Sequence, residues 1–417
     1  MIPRARQAMW LAVIAGLVLR LVFGFGYWVG KPLTHDEREY LLLANNLVEG
    51  RGFSYPVAAP GEPEPERFGR APLYPLFLAA VTGPTGLDAL TAIRLAQSLV
   101  GALGVWLVAL VASRVAGPRA GLIAAWTAAV YPPLVWTPAY VFSETLYMAV
   151  ALGHVLVAGR VLGESGGWSG GWRWPLWCGV VGGLAALTRP AHLFFILLLG
   201  LWLLTKRRLR DAVLIAVGAL LVIAPWTARN LREYGRVVLI ASEGGITFWT
   251  GNHPLSPGEG DMAANPAIKR DNQRLRAAHK GLSPEQLEPV YYREAMQAIA
   301  HDPVWWVGLL ARKAFYTWIP IGPSYTLHSM RYLAAALVSY GLLLATGLAG
   351  ALIVVRARRW PTALGLLLAS AVLVCVVFLP QERFRIPVID PALIVFAASG
   401  LVLLRPQAAD LDFQTCA

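Results

Sequence analysis

The stretch "KPLTHDEREYLLLANNLVEGRGF" (31–53) places two adjacent carboxylates, Asp36 and Glu37, directly behind a long apolar run. Two roles suit residues of these types in that place. With Thr34 as cap, both are first-turn acids that complement a helix dipole. Alternatively, a carboxylate at a membrane rim acts as a general base and deprotonates an acceptor hydroxyl. His35 and Tyr40 are the neighbours expected to line a substrate site built on that base. Glu144, in "VFSETLYM", is a second lone acid beside an apolar run. It either caps a helix behind Ser143 or gives the same site another carboxylate.

Arginines supply the complementary chemistry. Arg67, Arg70, Arg189, Arg229, Arg383 and Arg385 fall at ends of apolar runs or in loops assigned to the side of Asp36. They serve either as interfacial anchors or as a phosphate-binding cluster, because the guanidinium fork matches phosphate oxygens. "PQERFRIP" (380–387), with two arginines in a very short loop, favours the cluster. The histidines show no HxxxH or HxxE pattern and the cysteines no CxxC, so no metal ligand is assigned, although a divalent cation is compatible with a carboxylate site. There is no GxxxxGK[ST] loop and no dinucleotide fingerprint, which removes ATP and NAD bound in the usual loops.

The elements that must position these groups are membrane helices. The chain has 417 residues, 57% hydrophobic and only 14% charged, with mean hydropathy +0.54. Soluble proteins carry roughly a quarter charged residues. The net charge of +12 belongs to cytoplasmic loops rather than to nucleic-acid binding. "MIPRARQAMWLAVIAGLVLRLVFGFGYW" reads as a retained anchor rather than a cleaved signal, since Arg20 interrupts it and no clean cleavage site follows. Arg20 itself requires a buried acid or a polar cavity.

Apolar runs at 8–30, 95–113, 120–143, 145–159, 174–188, 190–205, 212–228, 332–355, 360–381 and 386–404 predict ten spans. Basic loops at Arg4/Arg6, Arg114/Arg119, Arg160/Arg173, "KRRLRD" (206–211) and "RARRW" (356–360) fit one topology with both termini inside. Segments 31–70, 140–144, 188–190, 229–330 and 380–386 are then outside. Segments 71–86 and 302–323 read as interfacial or re-entrant, with Arg312 and Lys313 snorkelling. Counting both as crossings gives twelve. The division expected is a transmembrane catalytic module, 1–228, with a first outer loop at 31–86. A large outer loop at 229–302 and a C-terminal interfacial and transmembrane part at 303–417 follow. The loop predicts two helices joined by "GLSPE", with Ser283 as cap and Pro284 opening the second. No internal repeat of 20–50 residues is visible, which argues against a transporter built from inverted repeats. A transporter or flippase for a lipid-linked saccharide remains the rival class.

Five stretches, in this order, resemble the GT-C superfamily of membrane glycosyltransferases. The branch is that of the dolichyl-phosphate-mannose protein mannosyltransferases and lipid A aminoarabinose transferases. They are "PLTHDEREYLLLANNLVEGRGF", "RFGRAPLYPLFLAAV", "SETLYMAVAL", "RNLREYGRVVLIASEGGITFWTGNHPLSPG" and "ERFRIPVIDPALIVFAASG". The resemblance implies an all-α GT-C fold of about 10–12 transmembrane helices, with outer juxtamembrane helices and a small loop cap. It implies an inverting transferase, hexosyl or pentosyl, in a bacterial or archaeal cytoplasmic membrane, acting on the outer face. A polyprenyl-phosphate-linked sugar would be the donor, and a lipid, glycan or protein hydroxyl the acceptor. The base role falls on Asp36, with Glu37 beside it. Basic residues near the outer surface hold the donor phosphate, for which Arg70, Arg189, Arg383 and Arg385 are the candidates. Asn252, in "TGNHPLSPG", is a candidate for lining the site. "PVAAPGEPEPE" (56–66) lengthens the first loop and is expected to shape the acceptor entrance. The absence of a large soluble domain points away from the long eukaryotic protein mannosyltransferases.

Overall fold

A computed structural model describes residues 3–54, 69–83, 86, 88–164, 171–319, 321–324 and 329–404. The proline-rich stretch 56–66 and Arg67 lie outside these residues. In chain order the helices are α1 (Pro3–Val22), continued by a π-helical turn at Phe23–Tyr27, α2 (His35–Val48), α3 (Leu73–Thr82), α4 (Ala89–Ala116), α5 (Pro118–Val130) and α6 (Pro132–Trp136). Then come α7 (Glu144–Leu162), α8 (Arg173–Thr188), α9 (Leu193–Thr205), α10 (Leu209–Tyr234), α11 (Gly244–Gly251) and α12 (Pro266–Ala278). The chain closes with α13 (Pro284–His301), α14 (Pro303–Trp318), α15 (Met330–Arg356), α16 (Thr362–Val377), α17 (Glu382–Arg385) and α18 (Ile389–Leu404). No strand occurs among the described residues.

Five of the ten expected spans form helices long and apolar enough to cross a bilayer, judged by length and composition: Gln7–Tyr27, Ala89–Ala116, Glu144–Leu162, Leu209–Tyr234 and Met330–Arg356. The run 120–143 is not one helix. "YPP" breaks it after Val130, because Pro132 and Pro133 have no N–H to give to the carbonyls one turn back. Those carbonyls belong to Ala128 and Ala129. Arg20, 1% exposed in α1, donates to both, from Nη2 to Ala128 O at 3.3 Å and from Nη1 to Ala129 O at 3.5 Å. The mid-span arginine therefore satisfies a broken helix, and neither a buried acid nor a polar cavity is its partner.

The main core joins α1, α4, α5, α7, α15, α16 and α18 through alanine-rich faces, among them Ala102, Ala109, Ala124, Ala128, Ala151 and Ala392. Small residues allow close helix approach in the absence of a hydrophobic drive between helices in lipid. At the α8–α10 crossing a Cβ on Gly218 would strike the Leu176 carbonyl, and one on Gly179 the Ile215 carbonyl. Helix ends assigned to the same side by charge meet in space. Arg114 donates to Leu156 O at 2.7 Å, and Glu164 accepts from Ala363 N–H at 2.9 Å.

Among the described residues of the segment 71–86 there is only α3, ten residues or roughly 15 Å. It packs Tyr74 and Leu78 on Ala44, Ile93 and Val141. In 229–302, α11, α12 and α13 form a cap with its own small core of Ile246, Trp249, Ile268, Leu287, Tyr291 and Ala295. Its "GLSPE" joint forms as expected, with Ser283 N–H donating to Gln286 Oε1 at 2.9 Å. Helix α14 departs from expectation at Lys313. Arg312 is exposed, but Lys313 is fully buried, and its Nζ donates to Asn252 Oδ1 at 2.9 Å and Val377 O at 3.3 Å. The reason is positional: Lys313 lies on the α14 face that packs on α16, with buried Leu309 and Thr317 one turn to either side.

Candidate active site

The T-x-x-E of "THDE" starts α2 as a capping box. Thr34 N–H donates to Glu37 Oε2 at 2.8 Å, and Glu37 N–H donates to Thr34 Oγ1 at 3.4 Å. The other Glu37 oxygen accepts from Val141 N–H at 3.0 Å. Glu37 is 1% exposed and does not line the cavity described below. Both of its oxygens are thus engaged by backbone N–H groups that hold α2 in place.

Asp36 points the other way. Its Oδ1 accepts from Arg70 Nη2 at 2.8 Å and its Oδ2 from Arg383 Nη1 at 2.6 Å. Burial by itself raises the Asp36 carboxyl, but the two guanidiniums, Arg383 and then Arg70, reverse this and hold it well below the usual carboxylate range. Glu39 and Tyr40, three and four residues on, share its helix face. Arg70 reaches Glu39 Oε2 from Nε at 2.9 Å and from Nη2 at 2.5 Å, and Glu243 Oε2 from Nη1 at 2.9 Å. It also lies 5.2 Å from the Tyr40 ring centroid. Glu243 is delivered by a two-way dock of Ser242 on Gly69, in which each backbone N–H is bonded, to Ser242 Oγ and Gly69 O, both at 3.0 Å. Arg70 is thus held by three carboxylates, Asp36 among them.

Arg189 leaves α8 where Pro190 forbids its continuation, and pairs with Glu144 at 2.7 Å. Its guanidinium lies 5.0 Å from the Phe384 ring centroid, and that of Arg383 lies 5.3 Å from the same ring. Two cations thus flank one aromatic side chain. Together Asp36, Tyr40, Arg70, Glu144, Arg189, Glu243, Glu288, Tyr292 and Arg383 line a cavity of roughly 1640 Å³, its open mouth included. Away from the charges the lining is Leu193 and Phe194 of α9 with Ala371, Val374 and Phe378 from α16 and its end. The cavity is polar at one side and greasy at the other.

Four further candidates lie away from the cavity. Arg385 does not line the cavity. It lies over the Tyr340 ring at 3.3 Å and bonds Asp390 Oδ1 at 3.0 Å, while Tyr131 O–H donates to Asp390 Oδ2 at 2.9 Å. That buried cluster ties α17 and α18 to α5 and α15, because on a helical turn residues two apart face different ways. Asn252 is fully buried and bonds Lys313 and, at 2.9 Å, Trp306 Nε1, away from the cavity. His35 is exposed at the first position of α2 and absent from the lining. Arg229 donates to Phe53 O at 2.7 Å, also outside the cavity.

Sequence reasoning missed Glu39 and Glu243. Glu39 carried a signal, its spacing of three from Asp36. It also missed a chain of buried side chains behind the cavity wall, in which Tyr147 Oη, His192, His154 and Cys178 Sγ follow one another at 3.1, 2.8 and 3.2 Å. Among the described residues no group of three or more His, Cys, Asp or Glu side chains gathers as a metal-holding set.

A helical bundle with its first post-span acid, basic residues and an apolar groove at one cavity has the fold of the GT-C membrane glycosyltransferases, which this chain resembles. Residues 69–228 match the family model of the dolichyl-phosphate-mannose-protein mannosyltransferases. The fold matches the oligosaccharyltransferase AglB of Archaeoglobus fulgidus, solved with an inhibitory peptide and a dolichol-phosphate, with TM-score 0.56 and 16% identity over 96% of this chain and 50% of that one. An oligosaccharyltransferase of Archaeoglobus fulgidus tethered with an acceptor peptide gives TM-score 0.54 and 16% identity over 95% and 49%. ArnT of Cupriavidus metallidurans bound to undecaprenyl phosphate gives 0.44 and 16% over 94% and 77%. The likeness to AglB is one of fold, and the chain spans about half of AglB's length. No curated protein sequence matches it.

Proposed function

We propose that the protein is an inverting glycosyltransferase that moves a sugar, hexosyl or pentosyl, from a polyprenyl-phosphate donor to an acceptor hydroxyl on the outer face of a bacterial or archaeal cytoplasmic membrane. The observation that carries this reading is the junction in one cavity of Asp36, the Arg189–Arg383 pair and the apolar groove between α9 and α16. The groove suits a prenyl chain, the two guanidiniums suit its phosphate, and the carboxylate suits an acceptor hydroxyl. Both AglB and ArnT have been solved with a polyprenyl phosphate bound. Here the same class of lipid would lie with its tail against Phe194 and Phe378.

The chemistry balances on these residues. Asp36 takes the proton of the acceptor hydroxyl as that oxygen attacks the anomeric carbon. The bond from that carbon to the phosphate oxygen breaks, and the phosphate leaves with the electron pair, its charge met by Arg189 and Arg383. Attack from the face opposite the leaving group inverts the centre. The leaving group is already anchored in the bilayer, so the protein supplies orientation, base and clamp. The outer side rests on the basic loops at the opposite helix ends.

Transfer in nanodiscs from polyprenyl-phosphate sugars to lipid, glycan and peptide acceptors tests this. Asp36→Asn is expected to retain donor binding and to lose turnover by roughly 10²–10⁴. A fully active Asp36→Asn sinks the mechanism. Movement of the intact lipid-linked sugar across the bilayer, with no glycosidic product, would favour a flippase.

A further inference from the structure

The two arginines on Asp36 are not equivalent. Arg70 has an 8% exposed side chain and four hydrogen bonds on three carboxylates. Leaving would break a pair with Glu39 in which both side chains are buried, 8% and 6% exposed. Arg383 is 32% exposed, and besides Asp36 its only hydrogen-bond partner among the described residues is Gln381 Oε1 at 3.2 Å. Its remaining surroundings are the Phe142 and Phe384 rings, at 5.6 and 5.3 Å. Arg189 stands 5.0 Å from that same Phe384 ring and lines the same cavity, so both guanidiniums are at hand for an anion bound there. Meanwhile each oxygen of the base carries a guanidinium donor.

Resting on the glycosyl-transfer reading above, we propose that Arg383 is shared between Asp36 and the donor phosphate. Phosphate binding draws Arg383 off the carboxylate and so frees the Oδ2 side of the base for the acceptor hydroxyl. Arg70 stays and holds Oδ1, which keeps Asp36 aimed. The donor therefore enters before a productive acceptor, and release of the polyprenyl phosphate product restores the Arg383–Asp36 pair. Arg383 acts twice, as phosphate ligand and as the residue that withholds the base from an empty site. An acceptor or water arriving alone meets a carboxylate already engaged.

The probe is undecaprenyl phosphate, titrated against the full chain in nanodiscs. If Arg383 must leave Asp36 to reach the phosphate, Asp36→Asn removes a competitor, and the lipid binds roughly tenfold tighter than to wild type. Arg383→Gln weakens binding by a similar or larger factor. In the double variant the gain from Asp36→Asn disappears. An equal gain in the Arg383→Gln background would show a plain field effect of the lost carboxylate and overturn the exchange, as would no gain at all. Asp36→Ala is the second variant should Asp36→Asn not fold, with the same pattern expected. Wild type that binds no undecaprenyl phosphate, or binds it unaffected by both Arg189→Gln and Arg383→Gln, removes the phosphate site itself. Binding that needs both arginines but shows no coupling to Asp36 leaves the site standing and removes only the exchange.

Discussion

Replacing Arg70 with Met separates a scaffold arginine from a ligand arginine. The side chains of Arg70 and Glu39 are 8% and 6% exposed, so their pair is truly buried, whereas Asp36 and Glu243 keep 23% and 29% of their exposure. Removing one partner of a buried pair leaves the other as an uncompensated charge, at a cost of about 3–5 kcal/mol. Asp36 retains Arg383, and Glu243 has solvent, so the expected loss comes mainly from the buried Arg70–Glu39 pair and should not exceed that range. Thermal unfolding in detergent, followed by intrinsic tryptophan fluorescence, reads it against wild type. The double variant Arg70→Met/Glu39→Met replaces the pair with apolar side chains and should recover most of the loss. An Arg70→Met protein of wild-type stability with only weakened lipid binding would refute the reasoning and return Arg70 to the phosphate ligands.

Glu37→Gln should keep turnover within a few fold of wild type, in contrast to Asp36→Asn, because the amide oxygen still accepts from Thr34 N–H although the NH2 group cannot replace the oxygen at Val141 N–H; Glu37→Ala, which loses both bonds, should cost about 1–3 kcal/mol of stability, read by the same unfolding assay. Burial pushes the Lys313 amine down to about 7. Its ordinary value is about 10.4, so between these values the unfolded chain holds more protons than the folded one and stability rises with pH. Lys313→Met should abolish that contribution, seen as a smaller gain in melting temperature between pH 7 and pH 9.5. Gly218→Ala should destabilise by about 1–3 kcal/mol or more, since its Cβ meets the Leu176 carbonyl on α8, and a wild-type melting temperature would show that the two helices can part.

The cavity was largely legible in the sequence because its residues sit at interruptions of apolar runs, and a membrane bundle gathers such interruptions at its two ends. Asp36, Tyr40, Arg70, Glu144, Arg189 and Arg383 come together. Helical phase was the harder quantity. It separates Asp36 from Glu37 and Arg383 from Arg385, neighbours in sequence that turn to different environments. The T-x-x-E spacing already marked Glu37 as a cap, and the spacing of three marked Glu39. Glu243 had no such mark, because the contact between Ser242 and Gly69 that delivers it spans 173 positions. The inward placement of Lys313 and Asn252 was not legible, because apolar runs reveal depth and not the direction in which one residue on a helix faces. Run lengths likewise gave 120–143 as one span, and "YPP" outweighed them.

The bond between Arg20 and the broken end of α5 sets a timetable for biogenesis. The two carbonyls that receive the guanidinium lie 108 and 109 residues later in the chain. At a synthesis rate of about 5–20 residues per second, α1 waits roughly 5–20 s before they exist. During that interval only Gly16 O of its own helix, 2.8 Å from Nη1, is there to accept from Arg20, and a long apolar helix carries a charge that is otherwise unmet. Helix α1 thus gains its contacts to Ala128 O and Ala129 O only after α5 is made. Its placement is deferred until the "YPP" helix arrives to receive it.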